Sequence, residues 1–229
     1  TMPRCNANCI GCISESHLNT TSPQERLSFN PSVKEIVEIG TEHLINARDA
    51  IISFGQGCEG EPALNAKNLS RAVETMRKET SRGTINLNTN AGYTTGIRDI
   101  CNAGLDTMRV TIFSCQQDNY MAYHRPLNYS FKDVENSIAY AKDNGVKVSL
   151  NLLTFPGFTD REDEIEELLY FLEGNRIDMV QLRNLNIDPD YLNSNFNGDS
   201  GIGIINFINL LKEELPELKI KSYSHPPEE

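Results

Sequence analysis

The chain has 229 residues, of which 38% are hydrophobic and 23% charged, with a formal net charge of −11 and no tryptophan. This is enough chain for one globular domain over residues 1–229, while no apolar run nears the roughly 20 residues that cross a bilayer. No signal peptide opens it, and the acidic balance argues against nucleic acid as the main partner, leaving room for a small anion held by local cations.

Taken in chain order, Asn30-Pro31 reads as an N-cap with proline at the first helical position. Val33, Ile36, Val37, Gly40 and Leu44 then keep helical spacing. The run AIISFG predicts a buried strand, and Leu69, Ala72, Val73 and Met76 a helix stopping near Gly83. TINLN is the next strand, followed by a short helix with Ile97, Ile100 and Cys101 that ends at Gly104. TMRVTIF is a strand, and Ser130 caps a helix carrying Phe131, Val134, Ile138 and Ala141, closed by Gly145. VKVSLNLL follows as a strand, then the loop FPGF. Thr159 and Glu162 make a capping box for a helix with Ile165, Leu168, Leu169 and Leu172 inward. DMVQLRNL is another strand and NSNFNGDSG a long loop. Ile204, Ile205, Ile208 and Leu211 mark a last helix, and LKIKSY one more strand.

Strand-to-helix units in series, with strands read as continuously apolar, predict a parallel sheet covered by helices. Order alone leaves open a closed (β/α) barrel, an open part-barrel and a doubly wound sheet. The polar stretches GQGCEGEP, NTN and SCQQ each follow a strand. All three fall at the carboxyl ends, where parallel α/β folds carry their chemistry. The cysteine loop described next has no strand feeding it, so the chain reads as an excerpt of a longer protein or one whose first strand is missing.

Six cysteines are present, and Cys5, Cys9 and Cys12 crowd one loop, RCNANCIGCIS. A chain of this length needs no disulfide staples, so the thiols point to a reducing, cytoplasmic compartment. Thiolates take zinc, copper(I) or iron–sulfur clusters. His17 could complete a Cys3His zinc site on a non-catalytic regulatory module, with zinc or an iron–sulfur cluster as its metal. Three close cysteines without a fourth fit better with a [4Fe–4S] cluster that leaves one iron open.

The spacing CxxxCxxC resembles the cluster motif of the radical S-adenosylmethionine (radical SAM) superfamily, and SFGQGCEGEPAL looks like that family's Gly-Gly-Glu-Pro loop, with Glu59 in place of the first glycine. The resemblance implies a partial (β/α)6-type barrel. It also implies a cluster held by Cys5, Cys9 and Cys12, with its open iron chelated by S-adenosylmethionine. Reduction of the cluster, by a donor such as flavodoxin or ferredoxin, would release a 5′-deoxyadenosyl radical. Glu59, Gly60 and Glu61 are then expected around the methionine amino group. Asn88 and Asn90 resemble the third-strand position near the ribose or cofactor carboxylate, and Ser114 the fourth-strand serine of the same region. Arg125 would grip the carboxylate, Gly157 would lie near the adenine, and Arg183, with Asn184, would face the adenine or an anionic substrate.

Two departures accompany the likeness. Gly11 stands where the family commonly has an aromatic residue, and Cys115, Gln116 and Gln117 where acidic residues often follow the serine. Cys58 and Cys115 are either hydrogen-atom relays or small packing residues. Tyr93, Tyr120, Tyr123 and His124 are candidates to line the pocket. The substrate, whether peptide, protein or small molecule, is not legible, and a member that binds cofactor without turning over substrate is a further alternative.

Overall fold

The computed structural model describes residues 1–14, 22, 24–198 and 201–221. The elements run α1 (Val33–Asn46), β1 (Ile51–Phe54), α2 (Ala66–Glu79), β2 (Thr84–Thr89), α3 (Thr94–Asn102), β3 (Thr107–Ile112), α4 (Gln117–His124), α5 (Phe131–Asp143), β4 (Lys147–Thr154), α6 (Glu162–Gly174), β5 (Met179–Asn184), α7 (Pro189–Phe196), α8 (Ile204–Glu214) and β6 (Lys219–Lys221). The six strands form one parallel sheet in the order β1-β2-β3-β4-β5-β6. A doubly wound sheet reverses its order at a switch point, and this one does not. Among the described residues β6 does not pair back onto β1, so the sheet is an open arc.

The strands are not continuously apolar, contrary to the expectation from sequence. They alternate. Phe54, Ile85, Leu87, Met108, Val110, Ile112, Val148, Leu150, Leu152 and Val180 are buried in one core with Leu69, Val73, Ile138, Leu168 and other helix residues. The opposite face is polar: Ser53, Asn86, Asn88, Thr107, Arg109, Ser149, Asn151, Gln181 and Arg183 lie in register across it. A flat sheet covered on both sides would need apolar residues on both faces; an arc packs helices on its convex side and keeps a polar hollow on the other.

One device recurs at the amino ends of the strands. Asp106, just before β3, accepts from Ile85 N and pairs with Arg77 of α2. Asp178, just before β5, accepts from Val148 N at 2.7 Å and from Lys142 of α5 at 2.6 Å. Each carboxylate thus ties the start of the preceding strand to the helix that leads into it. These contacts stabilise the end of the sheet away from the chemistry.

Several local readings are corrected. Ser32, not Asn30, caps α1: its hydroxyl accepts from Glu35 N while Glu35 returns to Ser32 N, a complete capping box. Thr159 caps nothing. Its hydroxyl accepts from Phe155 N at 2.8 Å inside the FPGF turn, and α6 starts after Arg161 with Glu162, Asp163 and Glu164 favoured by the helix dipole. Half of the supposed loop NSNFNGDSG is helix, because Asp188 caps α7 with Pro189 at its first position. Helix α4 was not foreseen, since its buried face is Tyr120, Tyr123 and His124 rather than aliphatic residues.

In α8 the inward residues are Leu211, as expected, and Phe207, both fully buried, while Ile205 is 77% exposed. Phe207→Ala should therefore cost about 3–5 kcal/mol in urea unfolding, and Ile205→Ala should stay within about 0.5 kcal/mol of the parent.

Candidate functional site

The cysteine loop lies across the carboxyl ends of the strands and is clamped from two sides by backbone hydrogen bonds. On one side Gly60 N donates to Met2 O at 2.6 Å and Glu61 N to Arg4 O at 2.8 Å. On the other, Asn8 N donates to Arg125 O, Ile10 N to Tyr123 O, and Leu127 N to Asn6 O. Ala7 and Pro126 complete that antiparallel bridge. Ile10 is sunk among Phe113, Tyr123, Phe158, Leu192 and Phe196, which anchors the middle of the loop. The glycine at position 60 has a steric cause: a Cβ there would collide with the carbonyl of Arg4.

Glu61 is 2% exposed, and its carboxylate is spent inside the protein. It accepts from Ala63 N at 3.0 Å, from the Thr89 hydroxyl at 2.6 Å and from Asn90 N at 2.7 Å, tying the loop after β1 to the end of β2. Burial pushes its carboxyl up, against those hydrogen bonds. Glu59, where a glycine was expected, closes its own turn by accepting from Gly55 N and Gln56 N.

Each sulfur of the trio has its own polar neighbour. Asn90 Nδ2 lies 4.0 Å from Cys5 Sγ and donates to Asn6 Oδ1 at 2.7 Å. Arg26 donates to Cys12 Sγ at 3.7 Å. His124 Nδ1 lies 3.4 Å from Cys9 Sγ, and its other nitrogen, Nε2, is 3.2 Å from Phe113 N. Because a backbone N–H can only donate, Nε2 must accept, so the ring is neutral and Nδ1 carries the proton toward sulfur. Burial agrees, drawing His124 down to about 3.

All three thiols are free. Burial first, then the Glu61 carboxylate, pushes Cys5 up to about 11, and Cys9 is driven higher by burial with Cys5 and Cys12 adding to it. A metal cation that replaced the protons of Cys5 and Cys9 would hold these raised, half-buried thiols as thiolates. Three cysteines on one loop suit a multi-iron cluster, where each sulfur takes its own iron. His17, the fourth ligand of the zinc alternative, lies outside the described residues.

The remaining residues fall in several places. Asn88 lies on the polar face, its Oδ1 accepting from Asn86 and Arg109. Ser114 is buried and donates to Glu164 at 2.7 Å, while Asn119 donates to the other oxygen of that carboxylate. It therefore fixes the entry to α4. Arg125 is exposed, and its backbone, at φ 45°, ends α4 and supports Asn8. Gly157, at φ 87°, donates to Asp160, and a Cβ there would strike the Gly198 carbonyl. Arg183 and Asn184 are exposed at the end of β5. Of the tyrosines, Tyr120 and Tyr123 are buried and Tyr93 is exposed. Cys115 is packed in the core and Cys58 is half-buried. Sequence reasoning missed Asn6, Arg26 and the sulfur-facing role of His124. Only the position of His124 directly before Arg125 hinted at it.

Gly11 now has an explanation. A Cβ there would collide with the hydroxyl of Tyr123, whose ring stacks on Phe113 with centroids 4.3 Å apart. Helix α4 thus brings its own aromatic ring against position 11. Gly11→Ala should destabilise the fold by about 1–3 kcal/mol. Tyr123→Phe removes the obstructing oxygen, so the double variant should recover most of that loss; additive losses in urea unfolding would contradict the contact.

The radical SAM superfamily profile matches residues 1–169. No curated protein matches the chain. Among solved structures, the FeFe-hydrogenase maturase HydG from Carboxydothermus hydrogenoformans is similar at TM-score 0.64 and 19% identity, over 97% of this chain and 52% of that one. Native anSMEcpe with bound AdoMet is similar at 0.59 and 16%, over 82% and 50%. Methylornithine synthase (PylB) is similar at 0.59 and 16%, over 98% and 70%. The chain thus spans about half the length of the first two. At these identities the structural likeness is one of fold, and the fold is the partial barrel. Together with a profile covering most of its length, it establishes that this chain belongs to the radical SAM superfamily, whose shared cofactors are a [4Fe–4S] cluster and S-adenosylmethionine.

Proposed function

We propose that this chain is the catalytic core of a longer radical SAM enzyme. It would cleave S-adenosylmethionine reductively and use the 5′-deoxyadenosyl radical to abstract a hydrogen atom from a substrate held in the polar hollow of the barrel. The observation that carries this reading is the cysteine trio. Three free thiols on a clamped loop, each beside its own polar group, sit next to a loop fixed by Gly60 and Glu61. The cluster would be held by Cys5, Cys9 and Cys12. When bound, it supplies the electron that breaks the sulfonium bond.

The chain's own residues would then divide the work. Glu61 holds the loop after β1 rigid, so that backbone oxygens around Glu59 and Gly60 face the methionine ammonium. Asn88 and Asn90 reach the ribose side, and Arg125 is the exposed cation for the carboxylate. Ser114 positions α4, while Gly157 allows the loop after β4 close to the adenine, with Arg183 at the rim. The described residues contain no helix long and apolar enough to cross a membrane. A cytoplasmic setting, with flavodoxin or ferredoxin as the electron donor, suits an oxygen-labile cluster.

Anaerobic reconstitution should load about four irons per chain, following the cluster type. Dithionite with S-adenosylmethionine should then yield 5′-deoxyadenosine, and Cys9→Ala should abolish both. A fully loaded wild-type protein that forms none would overturn the reading.

The tautomer of His124 generates a separate prediction. A proton donor on a ligating sulfur favours the reduced cluster. His124→Phe keeps the ring stacked on Tyr120, now at 4.3 Å between centroids, and removes that donor. Its cluster should therefore have a more negative midpoint in an EPR-monitored titration. An unchanged midpoint would mean that the imidazole does not act on Cys9.

A further inference from the structure

The polar hollow carries an unexpected charge. The inward positions include Arg109, Lys147, Arg183, Lys219 and Lys221, and no acidic residue occupies an inward position of the described strands. This is the reverse of the chain's net charge of −11. Lys147 stands at the lower rim, 3.8 Å from Asp178.

Arg109 is the deep member. It lies on β3 between Asn88 and Ser149, with Asn151 one step higher on β4. Its hydrogen-bond partner is a neutral amide: Nη1 donates to Asn88 Oδ1 at 3.2 Å. Nε, a donor, is shielded from solvent and unbonded. Burial first, and then the like charge of Arg183, lowers its pKa, so the cation is held against an electrostatic cost. A half-buried guanidinium whose hydrogen-bond partner is a neutral amide, with a second guanidinium nearby, gains little from folding alone. The cost is offset if an anion arrives. There is room for one, since a cavity of about 550 Å³ opens below, lined by Asn86, Thr107, Arg109, Ser149 and Met179. Its outer part carries both signs, Lys147, Arg176 and Lys219 against Glu173, Asp178, Glu214 and Glu217.

We infer that Arg109, flanked by Asn88 and Asn151, is an oxyanion-binding site inside the barrel that takes a carboxylate or phosphate group of the substrate. This assignment rests on the reading of the hollow as the place where the substrate reacts. The planar fork of arginine suits either group bidentately, and an amide beside it can add a contact only through its NH2 group. The inference makes the substrate a small polar anion, or a chain bearing one, rather than an apolar or cationic molecule.

The test uses the reconstituted protein saturated with S-adenosylmethionine and two probes, glutarate and inorganic phosphate, with putrescine as the cationic control. At least one anion should raise the thermal midpoint saturably, and putrescine should not. Arg109→Gln should weaken that response at least tenfold, with Arg109→Lys intermediate. Without any anion, Arg109→Gln should melt no lower than wild type, because it removes a charge that burial penalises. A response equal in both proteins, no saturable response at all, or a lower midpoint for the anion-free variant would each overturn the inference. Equilibrium dialysis of S-adenosylmethionine distinguishes the source of the anion. A tenfold loss of cofactor binding in Arg109→Gln would assign the guanidinium to the cofactor's own carboxylate and overturn the substrate assignment. Substrate-free formation of 5′-deoxyadenosine by the wild type is scored separately, so failure of the radical reading and failure of the Arg109 site remain distinct.

Discussion

Everything at the site depends on how a short, irregular segment is held still. The cysteine loop has no helix or strand of its own to fix it. It is fixed because its backbone hydrogen bonds are satisfied by two neighbours, residues 60–61 on one side and 123–127 on the other. Unsatisfied buried backbone groups are costly, so the loop's position is set by where those partners lie, and they lie where the sheet puts them. Gly60 follows the end of β1, and Tyr123 and Arg125 follow the end of β3. The sheet therefore fixes the sulfurs through hydrogen bonds, without any strand needing to reach them.

The same economy explains two residues that look like ligand contacts and serve the scaffold. Glu61 is the acid of the expected cofactor loop, yet its two oxygens accept from Ala63, Thr89 and Asn90 and bind the first two strand ends into one unit. Ser114 likewise joins Glu164, which also takes Asn119, so the start of α4 is fixed against α6. Precision at a reactive centre comes from residues whose own rotamers are locked. A carboxylate buried against three donors is rigid in a way that an exposed one is not.

Much of this was legible in the sequence, for identifiable reasons. The helices announced themselves wherever aliphatic residues recur at helical spacing, as in α2 with Leu69, Ala72, Val73 and Met76, all of them buried. The cysteine spacing and the EGEP loop pointed to the radical SAM superfamily, because both are local in sequence. What was lost is what depends on register. The alternation in TINLNT reads as a polar-tainted apolar run until its neighbours place Asn86 beside Thr107 and Asn88 beside Arg109. Helix α4 was invisible because Tyr120, Tyr123 and His124 form its inner face. Ser32 was passed over for Asn30 since both residues can cap, and only the reciprocal bond to Glu35 decides between them.

Register also explains why the hollow of the sheet is polar. Alternation sends every second residue of each strand inward, so the identity of the hollow is written in residues that never adjoin one another in sequence. The convex residues must be apolar to hold the helices, and they are. The concave residues are released from that demand, and apart from Ile51, Leu153 and Met179 they are amides, hydroxyls and cations in the described strands. The carboxylates it carries in excess lie elsewhere, Glu61 and Glu164 locked in the scaffold and Asp106 and Asp178 at the lower rim. Carboxylates inside the hollow would neutralise Arg109 from within, and none occupies an inward position of the described strands.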